Sequence, residues 1–370
     1  MRSLMTFVLT CLLSFSALTG SEQPPILRIG EAAPDFQLPG VDGKIHKLTD
    51  YEQAHVLVVI FTCNHCPTAQ AYEARIKQLV EDYKGKSVAV VAISPNDPLA
   101  VRLDELGYTD LNDALEDMKI RARDTAFNFP YLYDGDTQAV SRAYGAIATP
   151  HVFVFDGERT LRYQGRFDDS EKPNNVKQHD TRNAIESLLA GREVAVQNTR
   201  PFGCSVKWAS KRASAVESLA NWNREPVKLT PITESQLDEL AGNDSGKLRL
   251  ISIWATWSGP SVANLAELVT INRMYRKRDF ELISVCVDRA ARMDQALAAL
   301  TKAHASYTNY LCDGGDLHGV MQAVDPRLAG GVPYTLLVKP DGRVIYRKVG
   351  PIEPLELKRA VVEYLGRVYP

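Results

Sequence analysis

One structural plan is written twice along this chain, and that repetition limits what it can fold into. The first copy opens on an apolar run, His55 to Phe61, and reaches Cys63-Asn64-His65-Cys66. Apolar residues then recur at Ala69, Tyr72, Ile76, Leu79, Val80 and Tyr83, the spacing of one helix face, and Gly85 is placed to end that helix. A second apolar run, Val88 to Ile93, follows. Much later come Thr149-Pro150-His151, the run Val152 to Phe155, an Asp156-Gly157 turn and Leu161-Arg162-Tyr163.

The second copy repeats this order. Leu248 to Ile253 leads into Trp254-Ala255-Thr256-Trp257-Ser258-Gly259-Pro260-Ser261, with a helical pattern through Val262, Leu265, Leu268, Val269 and Tyr275. Phe280 to Val287 is the next apolar run. Val332-Pro333-Tyr334, Thr335 to Val338, an Asp341-Gly342 turn and Val344 to Tyr346 close it. Aligning the two x-x spacings sets Ser258 against Cys63 and Ser261 against Cys66. Cys63 to Ser94 then spans 31 residues and Ser258 to Asp288 spans 30. Cys63 to Pro150 spans 87 and Ser258 to Pro333 spans 75, so the first copy holds the longer middle insertion. Strands alternating with helices, then a closing hairpin, predict an α/β sheet with helices on both faces, twice.

Between the copies, residues 171–228 are polar and irregular. Asp180 is placed to cap a helix over 181–190 closed by Gly191. Pro201 to Trp208 and the pattern from Ala213 to Trp222 predict a structured linker. Thr233-Glu-Ser-Gln236 is a capping-box pattern that opens the second unit. The expected division is a signal peptide over 1–20, a first domain over 26–192, a linker over 193–227 and a second domain over 228–370.

The N-terminal expectation rests on Arg2 and an apolar run from Leu4 to Leu18, shorter than the roughly 20 residues of a spanning helix. Small residues and then Ser21-Glu22-Gln23-Pro24-Pro25 follow. A cleaved export signal is expected, hence an exported protein, periplasmic or otherwise extracytoplasmic, with no stable membrane span after cleavage. An uncleaved anchor is the alternative. Cys11 lies inside the apolar run and is a poor site for lipid attachment. Export permits disulfide chemistry, and of the six cysteines it leaves Cys63, Cys66, Cys204, Cys286 and Cys312. That number is too small for a disulfide-stapled scaffold. A net charge of −2 gives no reason to expect nucleic acid as a partner.

At these residues the chain resembles the thioredoxin superfamily over nearly its whole mature length. Gly30 to Leu48, "GEAAPDFQLPGVDGKIHKL", is similar to the opening of the redoxin branch, which includes alkyl hydroperoxide reductases and peroxiredoxins. "FTCNHCPTAQAYEARI" resembles exported redoxin-domain proteins with a C-N-H-C-P motif. The second copy resembles the TlpA/ResA-type thioredoxins, whose motif is W-C-x-P-C. The resemblance implies two tandem thioredoxin-like folds, each a central mixed sheet flanked by helices. It implies Cys63 as the attacking thiol, Cys66 as the resolving thiol and Pro150 as a cis-proline facing them, with the same geometry at Pro333. Two departures stand out: His151 follows the proline where threonine is common, and the second copy lacks both cysteines.

The function implied is an exported thiol–disulfide oxidoreductase acting on protein thiols and disulfides, with an unidentified electron-transfer partner and no cofactor. A thiolate is the attacking species. Cys63 is expected at the helix start, where unpaired N–H groups favour an anion and lower a thiol pKa by roughly one to five units. His65 is expected to stabilise the thiolate further. Asn64, Thr149 and His151 are the remaining supporting residues. Three alternatives stay open: a stapling disulfide, a zinc or copper site built from Cys63, Cys66, His65 and His151, and a redoxin-type peroxidase with antioxidant activity. For the last, the pattern P-x-x-x-T-x-x-C is incomplete around both cysteines. Cys286 is expected as a buried small residue, and Cys204 and Cys312 in loops, with a bridge between them as one option and a redox role for Cys204 as another. Ser258 and Ser261 have no neighbouring base in their motif and make a redox-silent site. That site is expected to dock a client through Trp257 and Tyr334 beside Pro333, or else to support the first domain.

Overall fold

The computed structural model describes residues 23–313, 317–327 and 330–370. The expected export signal, with Cys11, lies outside the described residues.

A short hairpin, β1 (Gln37–Pro39) and β2 (Ile45–Lys47), precedes the first sheet. β3 (Val56–Phe61) is buried at every position, as a central strand covered on both faces must be. It runs into α1 (Pro67–Asp82), which has proline at its first position, where the missing N–H costs little. β4 (Val88–Ser94), α2 (Leu115–Asp124), β5 (Tyr131–Tyr133) and α3 (Ala139–Tyr144) follow. Then come β6 (Ala148–Thr149), β7 (His151–Phe155), β8 (Leu161–Gly165) and α4 (Asp180–Leu189). The sheet order is β5-β4-β3-β7-β8, with β3 parallel to β4 and antiparallel to β7. Asp180 is the first residue of α4 rather than its cap, which is His179.

The linker carries β9 (Cys204–Ser205) and α5 (Arg212–Asn223). β10 (Thr230–Pro231) leads to α6 (Glu234–Gly242), where the Thr233 side chain accepts from the N–H of Gln236 in the predicted capping box. β11 (Leu248–Trp254), α7 (Gly259–Tyr275), β12 (Phe280–Cys286), α8 (Met293–Lys302) and β13 (Thr308–Leu311) come next. α9 (Leu317–Val324), β14 (Tyr334–Val338), β15 (Val344–Val349) and α10 (Pro354–Leu365) complete the chain. The order β10-β13-β12-β11-β14-β15 repeats the first sheet and adds one edge strand. Both halves are mixed α/β sheets flanked by helices.

The extra length of the first copy lies between β4 and α2, and it crosses to the other half. Val101 and Leu106 are buried in the same core as Leu265, Leu268 and Tyr275. Burying an aliphatic side chain of this size contributes about 1.5–3 kcal/mol. The Tyr275 hydroxyl donates to the Thr109 carbonyl at 2.8 Å, and Arg278 donates to the Gly107 carbonyl at 3.0 Å. Asp110, almost fully buried, takes Arg367 at 2.6 Å and Arg359 at 3.1 Å.

Candidate redox centre

β3 delivers its chain to the start of α1 directly beneath the turn before β7. Thr149–Pro150 is cis, as is Val332–Pro333 in the second half. The N-terminus of α1 belongs to Cys66, not Cys63 as the spacing argument expected. Cys66 is the N-cap, its sulfur accepting from the Ala69 N–H at 3.4 Å. Its Sγ lies 3.3 Å from the Thr149 carbonyl, to which the protonated thiol donates. Cys63 precedes the cap, its sulfur 3.2 Å from the Thr149 hydroxyl. Both cysteines are buried.

Strand register also corrects the alignment of the two copies. Phe61 pairs with Ile93 and with His151, while Ile253 pairs with Val285 and with Tyr334, each partner directly following its cis-proline. Phe61 and Ile253 are therefore equivalent. Counting forward equally from both sets Cys66 against Ser258, Cys63 against Ala255, His65 against Trp257 and Ala69 against Ser261. Side-chain bonds agree. Ser258 caps α7, accepts from the Ser261 N–H at 3.4 Å, and donates to the Val332 carbonyl at 3.3 Å. The second half thus has hydroxyls at the cap and one turn into the helix. The first half has sulfur at the cap and at a position before it.

The loop between the thiols is held by Asp113, which the sequence reading missed. One carboxylate oxygen accepts the backbone N–H groups of Asn64 at 2.8 Å and His65 at 3.1 Å. The other meets His65 Nδ1 at 2.5 Å and Asn96 Nδ2 at 2.7 Å. The Asn64 side chain donates to the Asn112 carbonyl at 2.8 Å, and the Tyr131 hydroxyl donates to Asn64. Asp113 is fully buried, and it closes the same insertion whose middle is held by the second half.

Burial acts against every charge here, so the pairings decide. Burial raises the Asp113 carboxyl, but the facing His65 and the N–H donors win and hold it below its usual value. Burial lowers His65, and the Asp113 charge and hydrogen bond outweigh that and raise it. Burial raises the Cys66 thiol. Hydrogen bonds from Cys204 and Cys63, the positive His65 and the Ala69 N–H overcome this and bring it well below an ordinary thiol. Cys63 is driven well above, by burial, by its hydrogen bond to Cys66 and by the Asp113 charge. The two thiols are thus pushed in opposite directions, Cys66 down and Cys63 up.

The other expected residues divide. His151 is buried, with Nδ1 facing the Ile147 N–H and Nε2 on Gln164 at 2.9 Å. Burial lowers it to about 4. With both ring nitrogens engaged in this way, it does not join a two-sulfur, two-nitrogen metal set. Among the described residues the potential ligand atoms that cluster are those of Cys63, His65 and Asp113, and Asp113 is already committed to four nitrogen donors. Trp257 is 55% exposed. Tyr334 is not an exposed anchor, because it is buried with its hydroxyl on Asp325 at 2.8 Å. Cys286 is buried in β12. Cys312 is buried in a core of the second half, whereas Cys204 packs on Cys63 and Cys66, so these two do not face each other.

Comparison with known proteins gives two family matches. The AhpC/TSA family model matches residues 29–164 and the Redoxin model matches residues 229–364. The chain is 24% identical over 177 residues to the thiol:disulfide interchange protein HelX of Rhodobacter capsulatus, covering 48% of this chain and 77% of that protein. It is 25% identical over 171 residues to the thiol-disulfide oxidoreductase ResA of Oceanobacillus iheyensis, covering 44% and 80%. Among solved structures, a hypothetical protein from Sinorhizobium meliloti 1021 is 34% identical, with a TM-score of 0.44, over 50% of this chain and 98% of that one.

Proposed function

The chain belongs to the thioredoxin superfamily in both halves, and from that we propose that its first half is a thiol–disulfide oxidoreductase with Cys66 as nucleophile and Cys63 as its partner thiol. The observation that carries this is the Cys66 sulfur: it caps α1 beside a cis-proline, accepts several hydrogen bonds, and has the Cys63 thiol hydrogen-bonded to it. The relatives named thiol:disulfide interchange protein and thiol-disulfide oxidoreductase support the same chemistry. This order reverses the one implied by the resemblance.

In the reaction, the Cys66 thiolate attacks a substrate disulfide and forms a mixed disulfide, expelling one substrate thiol. Cys63 then attacks the Cys66 sulfur, closes Cys63–Cys66 and releases the second. The substrate gains two electrons and two protons. A low thiol pKa favours the reduced state, so the pair tends to be oxidising. His65, held by Asp113, supplies positive charge toward Cys66 and is a positioning residue. Protein thiols and disulfides are the substrate class. Export fits the N-terminal run of residues 4–18, and no helix among the described residues is long and apolar enough to cross a membrane.

The second half is redox-silent in this reading, because hydroxyl oxygens at Ser258 and Ser261 form no reversible bridge. Its role is support: it holds the insertion that ends in Asp113. A peroxidase is the second reading, favoured by the AhpC/TSA match and by Cys66-Pro67-Thr68 at a helix start. Against it, the position three before Cys66 carries Cys63 where the peroxidase pattern has threonine. The test compares reduction of a protein disulfide and of hydrogen peroxide by wild type and Cys66→Ser. Disulfide turnover lost in the variant supports the proposal. Turnover of peroxide alone replaces it with the second reading.

A further inference from the structure

The peptide-binding edge of the first half is already occupied by its own chain. In this fold, backbone beside the cis-proline pairs with an extended substrate by strand addition. Here β6 pairs antiparallel with β9, in the register Ala148↔Ser205 and Thr149↔Cys204. Cys204 thereby sits where a substrate cysteine would. Its N–H donates to the Cys66 sulfur at 3.3 Å, and its thiol hydrogen-bonds the same atom. Cys63, Cys66 and Cys204 form one cluster with Ala69.

The segment is fixed on both sides. Upstream, the Thr199 hydroxyl bonds Tyr163 at 2.7 Å and accepts from the Arg166 N–H at 3.0 Å. Downstream, Val206 and Trp208 are buried in the first half's core. The Lys207 N–H donates to Asn96 at 2.8 Å, and its carbonyl accepts from the Asp97 N–H at 2.9 Å. Gly203 makes the close crossing possible. Its φ is +137°, and a Cβ there would lie 2.1 Å from the Thr149 carbonyl oxygen.

We propose that Cys204 is a third redox-active thiol, held in the substrate position by its own chain, and that it forms a disulfide with Cys66. This rests on Cys66 being the nucleophile. After Cys66 has attacked a substrate disulfide, Cys204 is a second group able to resolve the Cys66–substrate bond. Its sulfur attacks the Cys66 sulfur, the bond to the substrate sulfur breaks, and the Cys204 proton leaves with the substrate thiol. Cys66 and Cys204 each lose one electron and the substrate disulfide has gained two. Cys63 then attacks Cys66 and passes its proton to Cys204, which moves the bridge to Cys63–Cys66 with no net redox change. The consequence for specificity is that an extended protein substrate has to displace β9, whereas a small disulfide does not need the edge.

The test uses full-length protein with oxidised glutathione as probe and peptide mapping by mass spectrometry. Wild type is expected to form Cys63–Cys66. Cys63→Ser is expected to release its glutathione at least about tenfold faster than Cys63→Ser/Cys204→Ser, the gain of an intramolecular thiol, and to yield a 66–204 bridged peptide. Gly203→Val in the Cys63→Ser background is expected to slow that release. Equal lifetimes of the adduct in the single and double variants, with wild type still closing Cys63–Cys66, overturn the role of Cys204. A Gly203→Val variant that resolves at the unaltered rate overturns the placement by β9. If wild type forms no internal bridge at all, it is the oxidoreductase reading that fails.

Discussion

The loop at Cys66 and the loop at Ser258 share a backbone and differ in how they are held. Both leave a central strand, cap a helix with a side-chain atom, and point that atom at the carbonyl before a cis-proline. In the second half Asp288 accepts only the Thr256 N–H from the loop, at 3.1 Å, and Trp257 projects into solvent. In the first half Asp113 fixes two N–H groups and a histidine, and Cys204 covers the sulfur. The fold supplies the cap and the turn to both. What sets the first loop apart is a buried charge system brought in from outside the repeated unit.

That comparison can be broken in several ways. The largest effect is expected from Cys66→Ser, which gives the first half the second half's cap atom. Disulfide turnover is expected to fall by at least about 10³-fold, to the level of the uncatalysed exchange, as measured with a protein disulfide. Turnover within tenfold of wild type would return the nucleophile to Cys63.

Next is Asp113→Asn, which removes the charge that the second loop never had opposite its Trp257. Breaking one partner of a buried pair costs about 3–5 kcal/mol, read by urea unfolding. The Cys66 thiolate, titrated by ultraviolet absorbance, is expected to shift to higher pH as His65 loses its positive charge.

The pH dependence follows from the same pair. His65 is raised in the folded state, so its contribution is full below the unfolded value near 6.5 and is lost as pH rises through its folded value. Asp113 is lowered, so its contribution is present above about 3.9 and lost as pH falls through its folded value. The stability gap between wild type and Asp113→Asn should therefore be widest near about pH 5–6 and narrow on both sides. A gap independent of pH would mean that the bond pattern of Asp113, not its charge, is what matters.

A smaller change is expected from Arg367→Ala with Arg359→Ala, which leaves buried Asp110 without its two guanidinium partners. The pair should cost about 2–5 kcal/mol and lower disulfide turnover less than tenfold. Least of all, Ser258→Cys with Ser261→Cys should leave turnover of the first half unchanged while adding a titratable dithiol, seen by thiol counting after mild oxidation.

The sequence carried the architecture well and the site only in part. β3 and β11 were legible as apolar runs, and the capping box at Thr233 as a motif, because both are local. The registration of Cys66 on Ser258 was not, because C-x-x-C and S-x-x-S share a spacing that draws the eye. The signal was present: Pro67 directly follows Cys66, as a first-turn proline follows an N-cap. The step from Cys66 to Ser94 also equals that from Ser258 to Cys286. Asp113 could not be read at all, and a redox role for Cys204 was an option that nothing local favoured. Both residues reach Cys63–Cys66 across an insertion and a linker, and only the folded sheets bring them together. Tyr334 was misjudged because its position after the cis-proline begins a buried strand.

The insertion between β4 and α2 ties two events into one closed cycle. Its middle is part of the second half's core, and its end sets a carboxylate against the histidine beside Cys66. Energies around a cycle must agree whichever corner is taken first. Whatever the integrity of the second half adds to the thiolate, the thiolate returns to the second half. The melting temperature of the second half should then differ between the reduced and oxidised protein. In that sense the serine-bearing half is a thermometer of the redox state of the other.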